Sequence, residues 1–250
     1  MVSARCLDRF IAEHRLPDAF RNTATTVYEP LAAWLRPRLK SNTPFLLGIN
    51  GAQGTGKSTL AAYLALALGE SGQRNVAILS IDDFYLTKAE RRQLAQTVHP
   101  LLATRGVPGT HDVPMLRDCL SRLRALKAGE RCRLPRFDKA ADDRADEASW
   151  PAVSGPVELV ILEGWCVGSV AEGEAGLETP VNELEATRDA DGRWRRYANE
   201  RLATDYADVF DGLDALVFLQ APGFDAILRW RVEQEQKLAV TADTHANGVM

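Results

Sequence analysis

The chain alternates short apolar runs with longer stretches of helical periodicity. Four runs have strand length: Phe45 to Asn50, Val76 to Ile81, Val157 to Leu162 and Asp214 to Gln220. Between them lie helical patterns. Ser58 to Gly69 is rich in Ala and Leu, the best helix formers. Thr87 and Glu90 read as a capping box opening a helix over 88–97, which gives way at His99-Pro100. Residues 114–128 put Leu116, Cys119, Leu120, Leu123 and Leu126 on one face. A helix starting at Arg193 reaches about Phe210, and another follows Ala221-Pro222 to about Val240, with Ile227, Trp230, Val232 and Leu238 as its apolar content. Ahead of the first strand, residues 1–43 read as a helical cap on the sheet. Leu7, Phe10, Ile11 and His14 share one face there, and Val27, Leu31, Trp34 and Leu35 share another before Pro37. Residues 168–192 stand apart: rich in Gly, Glu and Asp and poor in apolar residues, they have the composition of a mobile or poorly ordered loop.

A length of 250 residues suits a single α/β domain with a large core. A net charge of −4 argues against a nucleic-acid footprint, so positive charge for an anionic ligand must be concentrated locally. No run approaches a membrane span and the N-terminus lacks a signal-peptide core, which makes the cytoplasm the default. Cys6, Cys119, Cys132 and Cys166 form no C-x-x-C pair and read as reduced thiols.

The first strand runs into Gly51-Ala52-Gln53-Gly54-Thr55-Gly56-Lys57-Ser58, followed by Thr59. This fits the phosphate-loop pattern G-x-x-x-x-G-K-[ST] at every fixed position, between a strand and a helix as the motif requires. The glycines let backbone N–H groups converge on phosphate oxygens, and the helix adds its positive end. Lys57 would reach the β- and γ-phosphates and the Ser58 hydroxyl would bind Mg²⁺.

Other polar residues gather at strand ends. Asp82 and Asp83 follow the second strand, where α/β proteins hold ligands. In an extended segment they point opposite ways, and Asp82, first off the strand, is the one expected to face the phosphates. Glu163 ends the third strand, a position suited to helping hold Mg²⁺. Arg105 to Asp112, carrying Thr110 and His111, reads either as a shaped polar binding loop or as a solvated turn whose Asp112 caps the next helix. Asp138 and Lys139 lead into a charged run through Asp142, Asp143, Arg144, Asp146 and Glu147, mostly a solvated face. Arg193, Arg195 and Arg196 suit a lid closing over phosphates, and Phe224 and Arg229 are candidates for a base-binding surface.

In this order, GINGAQGTGKSTLA, SIDDFYLT, RGVPGTHD, LPRFDKA and ILEGWCVG resemble the P-loop-type D-glycerate 3-kinases of plants and fungi and their bacterial homologues. The likeness is more distant to uridine kinase, pantothenate kinase and phosphoribulokinase. WRRYANERL, LDALVFLQAP and WRVEQEQ extend it, over roughly residues 45–240. The resemblance implies a P-loop NTPase fold, α/β/α in three layers, with a mostly parallel sheet of about five strands. It implies residues 44–250 as the kinase domain, with a lid around 168–200. It also implies ATP, Mg²⁺ and phosphorylation of a hydroxyl on a small acid, D-glycerate above all. Lys57 and Asp82 are then catalytic, Asp82 as the base. Residues 51–59 bind ATP, and Ser58 and Glu163 hold the metal. Asp83, Tyr85, Arg105, Thr110, His111, Asp112, Asp138, Lys139 and Arg144 fall on the acceptor side. The chain departs from the pattern at Ala140-Ala141-Asp142-Asp143, where glycines are expected, and in ending soon after Gly248, where a further segment is expected.

Two competing readings carry distinct marks. A nucleoside or pantothenate-like alcohol would need aromatic surface, which Phe84, Tyr85 and Trp165 offer. A regulatory NTPase would use the same phosphate loop without an acceptor, although N-K-x-D, the guanine signature, is missing.

Overall fold

The computed structural model describes residues 1–40, 43–72, 74–230 and 232. Among them, four parallel strands form the central sheet where about five were expected: β1 (Phe45–Gly51), β2 (Val76–Ser80), β7 (Leu159–Gly164) and β8 (Ala215–Leu219), in the order β2-β7-β1-β8. β1 and β7 are buried on both faces, which is why they read as continuous apolar runs. Their side chains alternate. Leu47, Ile49, Leu159 and Ile161 enter one core, and Leu46, Val160 and Leu162 enter the other.

Helices cover both faces, giving the expected three layers. On one side lies α3 (Lys57–Gly72), with α1 (Ala4–Glu13) and the helix α2, which runs through Phe20–Thr23, Ala24–Tyr28 and Glu29–Leu35. Phe10, Phe20, Tyr28 and Tyr63 form an aromatic cluster there, with ring centroids 5.4–6.3 Å apart. Phe10 and Ile11 are buried as their spacing predicts. In α2 the expected stripe is displaced. Ala24, Tyr28, Ala32 and Leu35, at ordinary helical spacing, point inward, which leaves Val27 and Trp34 at the edge of that face and exposed; Ala24–Tyr28 is a π-helical turn.

The other face is covered by α5 (Val113–Ala125), burying Leu116, Cys119, Leu120 and Leu123, and by the helix α8 through Arg193–Arg201, Leu202–Tyr206 and Ala207–Phe210. α5 ends before Leu126, three residues short of the expected 128. α4 (Lys88–Thr97) opens with both halves of the Thr87–Glu90 capping box. Two short antiparallel pairs lie beside the sheet: β3 (Arg131–Arg133) with β6 (Ala152–Ser154), and β4 (Phe137–Asp138) with β5 (Asp143–Arg144).

Residues 168–192 carry more structure than their composition suggests, in α6 (Glu174–Leu177) and α7 (Glu183–Arg188). Hydrogen bonds take the place of apolar burial. Asp189, wholly buried, accepts from the backbone of Trp194 and Arg195 and from the Arg195 guanidinium. The last expected helix covers 224–230 among the described residues, and Leu238 lies outside them.

Candidate active site

β1 delivers the chain to the phosphate loop and α3 takes it away at Lys57. Gly54 and Gly56 have φ of 82° and 92°, a region that strains any residue with a Cβ. At Gly51 an added Cβ would lie 2.6 Å from Thr55 Oγ1. Thr55 donates to the Ala52 carbonyl through its hydroxyl at 2.8 Å. Lys57 also folds back onto that carbonyl, at 3.1 Å. Burial pulls the Lys57 ammonium below its ordinary value, against the opposing pull of Glu163 and Asp82.

Ser58, one residue into α3, donates from Oγ to Glu163 Oε1 at 3.0 Å. Glu163 is 7% exposed at the end of β7. Burial pushes its carboxyl up, and the Ser58 hydrogen bond and the Lys57 charge only partly offset this. A hydroxyl and a carboxylate side by side at a phosphate-binding helix end are the hard oxygen donors that Mg²⁺ selects. Thr59 lies in the same first turn.

β2 ends at Ser80, and a 3₁₀ turn, Ile81–Phe84, follows. This turn, not an extended strand, separates the two aspartates. Asp82 accepts from Lys139 Nζ at 2.8 Å and from the Tyr85 hydroxyl at 3.0 Å. Asp83 turns the other way, to Arg136 Nη1 and the Phe137 amide, both at 3.2 Å. Burial pushes the Asp82 carboxyl up, but the hydrogen bond and charge of Lys139, with the Tyr85 hydroxyl, outweigh it and hold the group below the ordinary carboxylate range. Burial dominates at Asp83 and raises it.

Asp82 lines a cavity of about 950 Å³ together with Ala52 and Gln53 of the phosphate loop, Tyr85, Arg105, Lys139, Asp142, Trp165 and Phe224. Of the residues expected on the acceptor side, Tyr85, Arg105 and Lys139 therefore share its wall with Asp82. The others do not line it. Thr110 is wholly buried and ties its own loop, donating to the Val107 carbonyl and accepting from the Gly106 amide. His111 stacks on Tyr85 at 4.4 Å and shares a 2.6 Å hydrogen bond with the Tyr206 hydroxyl. Burial pulls its imidazole down to about 4, against the opposing charge of Asp82. Asp112 caps α5 through the Met115 amide and accepts from Arg144 at 2.8 Å, so the capping alternative describes its contacts. Asp138 accepts from the amides of Ala140 and Ala141 in the turn joining β4 to β5.

The arginines at the start of α8 do not face this cavity. Arg195 is buried against Asp189 and the Leu177 carbonyl, Arg196 pairs with Glu174, and Arg193 reaches the Val98 carbonyl. The cavity is met instead by Leu184 of α7 and Trp194 of α8. Phe224 lies on the wall, while Arg229 is exposed away from it.

Three residues to which sequence reasoning gave no role in the site matter here. Asp142 sits between Arg105 and Arg91. Arg91, fully buried, threads three carbonyls behind the wall. The Tyr206 hydroxyl accepts from the Gly109 amide at 2.9 Å while bonding His111, tying α8 to the acceptor loop.

No family model matches the chain. It is 36% identical over 208 residues to an uncharacterized kinase, mug58, of Schizosaccharomyces pombe, covering 78% of this chain and 71% of that protein. It is 32% identical over 206 residues to the chloroplastic D-glycerate 3-kinase of Arabidopsis thaliana, covering 77% of this chain but 41% of the plant protein. Among solved structures, the D-glycerate 3-kinase of Cryptococcus neoformans var. grubii superposes with a TM-score of 0.71 at 28% identity, over 91% of this chain and 81% of that one. A phosphate loop between a parallel strand and its helix, facing a carboxylate across one cavity, agrees with these likenesses: the chain belongs to the P-loop-type D-glycerate 3-kinase family, phosphotransferases with an alcohol group as acceptor.

Proposed function

We propose that the chain transfers the γ-phosphoryl group of ATP to a hydroxyl of a small organic acid, D-glycerate, giving 3-phosphoglycerate. The observation that carries this reading is the Lys139 ammonium 2.8 Å from the Asp82 carboxylate, on the wall of the cavity that the phosphate loop shares. A base and a cation one hydrogen bond apart match a molecule whose hydroxyl and carboxylate are two carbons apart. When the acceptor enters, Lys139 leaves Asp82 for the acceptor carboxylate, and the hydroxyl takes its place. Asp82 then orients the hydroxyl for in-line attack and takes its proton as the new P–O bond forms and ADP departs with the bonding electrons. Lys57 and the loop amides neutralise charge on the phosphates. Ser58 and Glu163 would hold Mg²⁺, which supplies further neutralisation when bound. A cavity of about 950 Å³ is large enough for a nucleotide and a small acceptor together.

Residues 168–200 act as the lid in this reading, with Leu184 and Trp194 as its contacts to the cavity. The reading sets the protein in the cytoplasm, in keeping with its four free cysteines. No helix among the described residues is long and apolar enough to cross a membrane.

One observation favours a second acceptor class. Trp165 and Phe224 are exposed aromatics on the cavity wall, 40% and 77% accessible, and a nucleobase could stack on them. ATP consumption measured against D-glycerate, other small hydroxy acids, glycerol, uridine and pantothenate separates the readings. D-glycerate is expected to accelerate it most. Acceleration by uridine or pantothenate instead would overturn the assignment, and slow hydrolysis indifferent to every acceptor would point to a regulatory NTPase.

A further inference from the structure

One carboxylate on the cavity wall has no part in the transfer outlined above. Asp142 stands beside Arg105 and Lys139. One of its oxygens is bound by the Arg105 guanidinium, and the other lies 2.7 Å from Nη2 of Arg91. Arg91 cannot turn away: it is wholly buried and its guanidinium donates to the carbonyls of Leu86, Ala103 and Asp142. Arg105 is a third exposed on its side chain, lines the cavity, and otherwise holds the Lys139 carbonyl at 3.4 Å. Both guanidiniums sit over the Phe137 ring, at 5.6 and 5.5 Å. Two arginines converging beside a cavity form a fork suited to a carboxylate or a phosphate. Here the chain fills that fork itself. It does so from a backbone φ of 55° at Asp142, a left-handed conformation unfavourable for a residue with a Cβ.

We propose that Asp142 is a specificity-determining residue: by occupying the anion site made by Arg91 and Arg105, it confines the cavity to acceptors with a single carboxylate and turns away dicarboxylates and phosphorylated acceptors. The proposal rests on the small-acid reading above, in which Lys139 receives the acceptor's one carboxylate. A second anionic group finds Arg105 and Arg91 already bound to the two Asp142 oxygens and has to displace that carboxylate to reach them.

The test reads binding, so that its failure and the failure of the kinase assignment are distinguishable. Tartronate, a dicarboxylate of the size of glycerate, is titrated calorimetrically in the presence of a non-hydrolysable ATP analogue. Asp142→Asn is the variant of choice, because Asn tolerates the left-handed backbone and its amide oxygen can still accept from Arg91. Tartronate is expected to bind this variant at least about tenfold more tightly than the unaltered chain, with D-glycerate gaining much less. Adding Arg105→Ala is expected to cancel the gain. Equal tartronate affinity in the unaltered chain and a folded Asp142→Asn variant overturns the proposal, as does a gain that survives the loss of Arg105. If the variant does not fold, the unaltered chain decides: it must bind D-glycerate at least about tenfold more tightly than tartronate, and parity overturns the filter. A tartronate gain in Asp142→Asn without phosphorylation of any small acid by the unaltered chain supports the filter and overturns the acceptor assignment instead.

Discussion

The two walls of the cavity are built by different means. The phosphate wall is one contiguous stretch, residues 51–58, whose groups are mainly backbone, with Ser58 bonded to Glu163 from the adjacent strand. The acceptor wall is assembled from side chains on separate segments: Asp82 and Tyr85 after β2, Arg105 on the loop before α5, Lys139 and Asp142 between β4 and β5. Each charge in it is already matched, Lys139 with Asp82 and Arg105 with Asp142. On the phosphate wall Lys57 has only to leave the Ala52 carbonyl, whereas a wall of ion pairs must exchange charged partners to receive a ligand.

That contrast can be broken at several points. The largest expected effect is at Asp82. Asp82→Asn should lower kcat by about 10²–10⁴-fold while leaving the ATP dissociation constant within about twofold, measured by steady-state kinetics and nucleotide titration. Near-normal turnover would remove Asp82 from the base role. Lys57→Ala should cost about 10²–10³-fold in kcat and, unlike the first variant, also weaken ATP binding, since it strikes the phosphate wall. If the two variants gave the same nucleotide affinity, the division between the walls would be wrong.

Lys139→Ala sharpens the acceptor side. Asp82 is held low mainly against its own burial by Lys139, so removing the ammonium leaves burial in command and its carboxyl rises. The acid limb of the kcat/KM profile should therefore move to higher pH, and KM for the acid acceptor should rise about tenfold. An unmoved limb would show that the pair does not control the base.

The last effect is on stability and not on turnover, and concerns His111, which does not line the cavity. His111 titrates at about 4 in the folded chain against 6.5 unperturbed, so its neutral form is favoured by folding. Its contribution is fully present above pH 6.5 and is lost as pH falls through that window toward 4, on the order of 3 kcal/mol in all. His111→Gln should flatten the pH dependence of Tm between those limits. If the slope is unchanged, burial does not hold His111 neutral over that range.

The same contrast explains what could be read in the chain beforehand. The phosphate loop is legible because backbone chemistry demands glycine at fixed places, as the positive φ of Gly54 and Gly56 bears out. The strands are legible because a doubly covered sheet needs unbroken apolar runs. Asp142 was not, because a carboxylate in a charged run looks solvated until the turn between β4 and β5 aims it at two arginines. Arg91 was hidden in a polar helix that gives no hint of a buried guanidinium. The outward Val27 and Trp34 were not legible because the inward face is filled by the small Ala24 and Ala32 and by Tyr28, which carry a weaker apolar signal than Val and Trp.

The strand register has a last consequence. β7 lies between β1 and β2, with Glu163 opposite both Ile49 and Ser80, so phosphate loop, metal candidate and proposed base emerge from three neighbouring strands spaced about 4.8 Å apart. Main-chain pairing thus acts as a ruler for the reacting groups, independent of the segments that carry Arg105, Lys139 and Asp142. Such a division lets evolution, or an engineer, exchange those segments for new acceptors without recalibrating the distances on which transfer depends.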